Sequence, residues 1–155
     1  MNTPEMKRYK SSEWNFALDI PKHWNSFPPV SANSPAEVIR FASREEGTHL
    51  LIIFRFPTNP KQSLKELAEH VQQILAGKGF GNFATAETTF GSRTVLMLDF
   101  DKPKVDGIDG FWNCREYFIT EGTLRYTLGF GTTNRAGMFD LYDRMARSFE
   151  ILPER

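Results

Sequence analysis

The sequence predicts an α+β fold, an antiparallel β-sheet of at least five strands flanked by helices on both faces. Three observations carry this. Apolar residues alternate with period two in several short segments joined by hairpin-length, glycine-bearing turns. Two other segments, 63–76 and 135–148, carry apolar residues at helical spacing. Four strand segments lie between those two, which lets each helix pack on a different sheet face. The 155-residue length suits a single domain spanning 1–155. Hydrophobic residues at 40% and charged residues at 25% are globular proportions, and 14 Phe predict a core rich in rings.

Residues 1–12 are polar and read as a flexible N-terminal segment, in which Arg8-Tyr9 can add a short edge strand. From Trp14 to Ile20, Trp14, Phe16, Leu18 and Ile20 share one face, and Pro21 ends the strand because proline has no N–H for a ladder. Trp24 follows in a turn. Residues 25–37 hold three prolines, three serines and two asparagines and read as a loop. Val38–Ser43 and His49–Phe56 form a hairpin whose Gly47 is free to take positive φ. The second of these strands is apolar on both sides, with Leu50, Ile52, Phe54 and Phe56 opposite Leu51 and Ile53. Such a strand belongs in the sheet interior with a cover on each face.

In 63–76 the apolar stripe is Leu64, Leu67, Ala68, Val71, Ile74 and Leu75. Ser63 and Glu66 complete a capping box, and Gly77 is placed to close the helix in the left-handed conformation. Segments 80–89, 93–100, 111–120 and 124–132 then read as a meander, with turns at Gly91-Ser92 and Glu121-Gly122 and a longer loop at 101–110. The last segment places Leu124, Tyr126, Leu128 and Phe130 inward and Arg125, Thr127, Gly129 and Gly131 outward. The stripe of the second helix is Met138, Leu141, Tyr142, Met145, Ala146 and Phe149, and residues 149–151 can pair briefly before Pro153.

Tyr9 followed by Trp14-Asn15-Phe16-Ala17-Leu18-Asp19-Ile20-Pro21-Lys22-His23-Trp24 resembles the aromatic and proline opening of PsbP/Mog-like domains. Phe139, Met145 and Ser148-Phe149 resemble the end of that family's last helix. The likeness spans almost the whole chain and rests on core anchors, not on reactive groups. It implies an antiparallel sheet with helices on both sides. It also implies partner binding in preference to turnover, in a family that includes an extrinsic photosystem subunit, a Ran-binding protein, bacterial lipoprotein domains and adaptor chaperones of secretion systems. Neither the lipobox cysteine nor the lumenal targeting segment that several of those relatives use is expected in this chain.

Several chemistries are excluded by residue type and spacing. Cys114 is the only cysteine, so no intrachain disulfide forms. Its mid-strand place between Asn113 and Arg115 reads as a small buried hydrophobe instead of a nucleophile. His23, His49 and His70 form no H-x-x-H pair, so neither a metal nor a cofactor is expected. The acidic run Asp99–Gly110 looks calcium-like, but Pro103, Lys104 and Gly110 stand where an EF-hand needs a ligand, a glycine and an acid. Gly77, Gly79 and Gly81 leave a helix for a strand, the reverse of a phosphate loop. With 19 Lys+Arg against 19 Asp+Glu, the chain has no net charge drawing it to nucleic acid or an anionic membrane. The longest apolar run, Leu50–Phe54, is far below the ~20 residues of a membrane helix. A cytoplasmic location is expected.

What remains is Arg40, Arg55, Arg115 and Arg125, one in each of four strands. Beside Trp112 and Tyr117 they would offer bidentate donors and flat apolar surface to a carboxylate-bearing ligand or a partner peptide. The condition is a shared face, which the register between strands decides. A solvated sheet face explains the same residues. The expected function is a non-catalytic protein-binding or assembly module, monomer or weak dimer, with another protein as partner. The alternatives are a small-ligand-binding domain or enzyme using the arginine and aromatic face, and a domain derived from a membrane-peripheral lipoprotein.

Overall fold

The chain runs β1 (Met6–Ser11), β2 (Phe16–Pro21), β3 (Asn25–Phe27), β4 (Glu37–Ser43), β5 (His49–Pro57), α1 (Leu64–Gly77), β6 (Gly81–Phe90), β7 (Arg93–Lys102), β8 (Trp112–Glu121), β9 (Leu124–Thr132), α2 (Met138–Arg147) and β10 (Glu150–Ile151). This is a computed structural model, and it describes residues 4–45, 47–57, 59, 61–102, 112–133 and 138–153, with the side chain of Trp112 outside the description. The loop 103–110, and with it most of the calcium-like run, lies outside the described residues, as does the start of the second predicted helix at 135.

Seven strands form one sheet in the order β3-β4-β5-β9-β8-β7-β6, antiparallel at every pairing. A second sheet, β1-β2-β10, was not foreseen and knits both ends of the chain together. Residues 6–11, read from sequence as part of a flexible start, are a full strand paired with β2 from Met6↔Pro21 to Ser11↔Phe16. Part of the predicted 25–37 loop is likewise a strand, β3 on β4.

The large sheet is covered unequally. On one face α2 and β2 pack Tyr142, Met145, Phe16 and Leu18 onto Leu51, Ile53, Tyr117, Tyr126, Leu128 and Phe130. Rings dominate there, as expected: Phe130 and Tyr142 stack with centroids 4.4 Å apart. On the other face α1 alone sets Leu67 and Ala68 against Leu96, Leu98, Phe100, Cys114 and Phe118. The two helices thus lie on opposite faces. The reason for the imbalance is topological. α1 connects β5, third in the sheet, to β6 at its edge. The helix packs over β6, β7 and the near side of β8 and leaves the stretch above β5 and β9 without a helix among the described residues.

The ends of α1 follow local chemistry. Ser63 caps it, its Oγ accepting from the Glu66 N–H at 3.1 Å while its hydroxyl donates to the Glu66 carboxylate at 3.2 Å. At the other end the left-handed residue is Gly79, φ 91°, and not Gly77. Gly79 N–H donates to the Ala76 carbonyl at 3.1 Å and Phe80 N–H to that of Leu75 at 3.1 Å, a Schellman closure that puts Phe80 under the helix. Gly77 is the last helical residue, so the stop falls two positions later than the sequence suggested. Gly47, at φ 118°, does take the positive value expected of it.

Candidate functional site

Register decides which of the candidate residues meet. Directly paired residues lie on the same side of a sheet. Arg40 pairs with Ile52, Ile52 with Gly129, and Gly129 with Glu116. Arg125 pairs with Phe56, two steps along from Thr127↔Phe54 and Gly129↔Ile52. Arg40 and Arg125 therefore belong to the α1 face. Arg55 pairs with Tyr126, and Arg115 with Phe130 and Asp99, which places them with Tyr117 on the α2 face. The four arginines divide two and two and form no single cluster. Trp112 pairs with Lys102 in backbone register.

Three of the four are committed to the fold. Arg115 holds both Asp99 oxygens, at 2.6 and 2.8 Å, reaches Asp143 of α2 at 3.4 Å, and lies 4.5 Å from the Phe139 ring centre. Tyr117 donates to the same Asp143. This network fastens α2 to β7 and β8. Arg55 donates to the Tyr126 hydroxyl at 3.3 Å and faces the Trp14 ring at 5.5 Å, at the seam with the small sheet. Arg40 pairs with the buried Glu37, with one contact at 2.9 Å. Burial pushes the Glu37 carboxyl up, but hydrogen bonds from Arg40, the Val30 N–H and Asn33 outweigh it and hold the group below its ordinary value.

Arg125 differs. Its guanidinium lies 4.1 Å from the Phe56 ring centre, and its buried Nε has no hydrogen-bond partner among the described residues. Two residues on, Thr127 is 2% exposed, and its Oγ1 is also without a partner. Both line a cleft of about 610 Å³ in the part of the sheet that α1 leaves open. β5, β9 and β8 supply its floor. Val71, Ile74 and Leu75 of α1 form one wall, and Asn33 and Ser34 reach its edge. Gly129 and Gly131 put no side chain into it. Ile74 is 47% exposed there, a large apolar group left facing the opening.

The charge in the cleft is mostly positive. Arg125, Lys78 and Lys102 line it against one acid, Glu116. Burial pushes the Glu116 carboxyl up to about 7, with Arg125 and Lys78 pulling it part of the way back. Cys114 also lines it. Burial, then Glu116 and Asp101, push its thiol up to about 12, so it is inert at neutral pH. A concave, largely apolar site with a few polar groups converging in it is the usual form of a small-molecule site.

Sequence reasoning named Arg125 and missed Glu116, Thr127 and Gly129. One signal was present. β5 offers four apolar groups, Leu50, Ile52, Phe54 and Phe56, on the face where β9 offers Arg125, Thr127 and two glycines. A strongly apolar strand beside one with bare glycines leaves a gap unless a helix fills it. Elsewhere, His49 is buried, with Nδ1 2.8 Å from Thr132 Oγ1 and its ring stacked on Trp24, while His70 is exposed on α1. Among the described residues no group of three His, Cys, Asp or Glu could hold a metal ion. No helix among them is long and apolar enough to cross a membrane.

No family model and no curated protein sequence matches the chain. Solved structures do. Cyanobacterial PsbP (CyanoP) from Synechocystis aligns with a TM-score of 0.73 at 16% identity, covering 97% of this chain and 94% of that one. The Saccharomyces cerevisiae Ran-binding protein Mog1p aligns at TM-score 0.66 and 11% identity, covering 97% of each chain. A Pseudomonas aeruginosa protein of unknown function, titled a putative regulator, aligns at 0.55 and 18%, covering 96% and 98%. The chain has the PsbP/Mog-like fold expected from its anchor residues.

Proposed function

From a chain with this PsbP/Mog-like fold, we propose a non-catalytic binding module that holds a small ligand in the cleft between α1 and the seven-stranded sheet. The observation that carries the reading is the largely apolar cleft whose lining includes Arg125 and Thr127, each with a buried polar atom that has no partner among the described residues. Leaving such atoms unpaired is costly, and a bound polar group would recover that cost. A binding role without turnover is supported by the chemistry around it. Cys114, in its lining, is held as a thiol.

Fragment screening by NMR tests the reading. Small apolar molecules with several different polar heads should shift amide resonances in Leu50–Phe56 and 124–131 and spare those in Met6–Ser11. Gly129→Leu should abolish the shifts. Its Cβ meets Phe54 at an ordinary 3.5 Å, so the backbone accepts a side chain that then fills the cleft. If no fragment of any head class binds there, the reading fails.

The protein partner and cytoplasmic location expected from sequence remain compatible with this proposal, and one observation favours a protein-facing surface. Phe27 and Val30 are 47% and 42% exposed near the β3 edge, and Phe27 lines a second cleft of about 320 Å³ with Trp14 and Pro28. An exposed strand edge beside exposed apolar groups suits another polypeptide. Replacing both with Ser should weaken that association and leave fragment binding in the α1 cleft unchanged.

A further inference from the structure

We propose that the α1 cleft selects an unbranched apolar chain ending in a carboxylate, with the head at Arg125 and Thr127 and the tail laid over Gly129 and Gly131. This rests on the cleft being the binding site. The direction comes from β9 itself. Its cleft-side positions run Arg125, Thr127, Gly129, Gly131, from a cation through a hydroxyl to two bare backbones. The seven residues from Arg125 to Gly131 span about 20 Å of extended strand, so the cleft is a trough with a cationic end and an end of bare backbone.

The polar end has the chemistry of an anion site. Arg125 Nε is a buried donor with no acceptor among the described residues, and Thr127 Oγ1 can donate beside it. The Phe56 ring, 4.1 Å from the guanidinium, holds its plane in place, so little ordering remains on binding. An ammonium head would meet Arg125 and Lys78 and be repelled. A neutral head would satisfy Thr127 and leave Arg125 facing Glu116 alone. A carboxylate satisfies both and reduces the cationic excess of Arg125, Lys78 and Lys102 over Glu116.

The apolar end fits a chain. Gly129 and Gly131 leave a groove between Leu50 and Ile52 of β5 and Glu116 and Cys114 of β8, with Val71 and Leu75 of α1 beside it; burial favours the neutral form of the Glu116 carboxyl there. The two glycines sit on one face two residues apart, which gives a channel along the strand instead of a round pocket. Length is then read by burial, and each added methylene should tighten binding about fourfold until the trough is full.

The test is calorimetry with the whole chain and defined probes below their micelle concentrations. Dodecanoate should bind one to one, at least tenfold tighter than dodecan-1-ol, and dodecylammonium should bind weaker still. From hexanoate to decanoate the affinity should climb about three- to fourfold per methylene. Arg125→Met should lose tenfold or more for dodecanoate and change dodecan-1-ol less than twofold, while Thr127→Val should weaken both probes about three- to tenfold. Thermal melts check that each variant folds. If Arg125→Met does not, the head-group series on the unaltered protein and Thr127→Val decide the matter.

Equal binding of dodecanoate and dodecan-1-ol, or an affinity indifferent to chain length, overturns the carboxylate assignment. Fragments that bind in the cleft while dodecanoate does not leave the binding-module reading standing and remove only this refinement. Failure of every probe removes both.

Discussion

Glu116 gives a prediction that depends on the cleft being as dry as its lining implies. Burial is the leading cause that takes this carboxyl from an ordinary value of 4.5 to about 7. The folded protein then holds the Glu116 proton more tightly than the unfolded chain does. Between those two values the native state binds more protons, so this group makes stability fall as pH rises from 4.5 to 7, and the loss is complete above 7. At ~1.4 kcal/mol per pH unit the limit is about 3 kcal/mol. The residue keeps some exposure to the cleft, and solvent screening reduces the expected loss to about 1–2 kcal/mol. Glu116→Gln keeps the shape and cannot ionise. Urea denaturation from pH 4.5 to 8.5 should show the variant's advantage starting near zero and growing to about 1–2 kcal/mol, with most of the rise between pH 5 and 7. Parallel stability curves for the two proteins would refute the argument and mean that water reaches the floor of the cleft freely.

Three further outcomes follow from contacts already described. Ser63→Ala should lower stability by about 1 kcal/mol, read from the urea midpoint, because the Glu66 N–H loses its acceptor. Arg115→Met should cost about 2–3 kcal/mol by leaving Asp99 and Asp143 without their cation, yet leave ligand affinity in the α1 cleft within twofold, since Arg115 is on the other face; a calorimetric loss of affinity would contradict that placement. Cys114, with a thiol pushed up to about 12, should react with iodoacetamide at pH 8 on the order of a thousandfold slower than in the urea-unfolded chain, followed by mass spectrometry.

The elements that sequence reading placed well are those whose burial writes a period into the residues. β5 reads as a strand because it is apolar on both sides, but only the Leu51 and Ile53 side is packed over; Leu50, Ile52, Phe54 and Phe56 floor the cleft, so the cover expected on each face is present on one. α1 shows its stripe because one side packs on β6 and β7. β1 was harder to read. In Met6–Ser11 only Ser11 is buried, so its hydrophobic alternation is faint and the pairing with β2 supplies what the pattern does not. β3 is three exposed residues on an edge, with nothing buried to mark it. The site was hidden for a different reason. Alternation correctly grouped Arg125, Thr127, Gly129 and Gly131, but named that side outward. Whether it meets water or an enclosed trough depends on where α1 lands, and that follows from the route from β5 to the edge strand β6. The same limit applies to the arginines. Strand membership can be read locally, whereas the split of Arg40 and Arg125 from Arg55 and Arg115 is a property of cross-strand register.

The small sheet has a consequence for how the module can be displayed. β1 and β10 flank β2, so Met6 and Ile151 belong to one three-stranded patch, and that patch packs on the α2 face of the large sheet. The trough opens on the opposite face. A fusion partner, a surface or a longer polypeptide joined at either of these strands would therefore sit behind the module, with the ligand entrance turned outward. Cargo loading and anchoring would occupy different hemispheres of the molecule, and neither would obstruct the other.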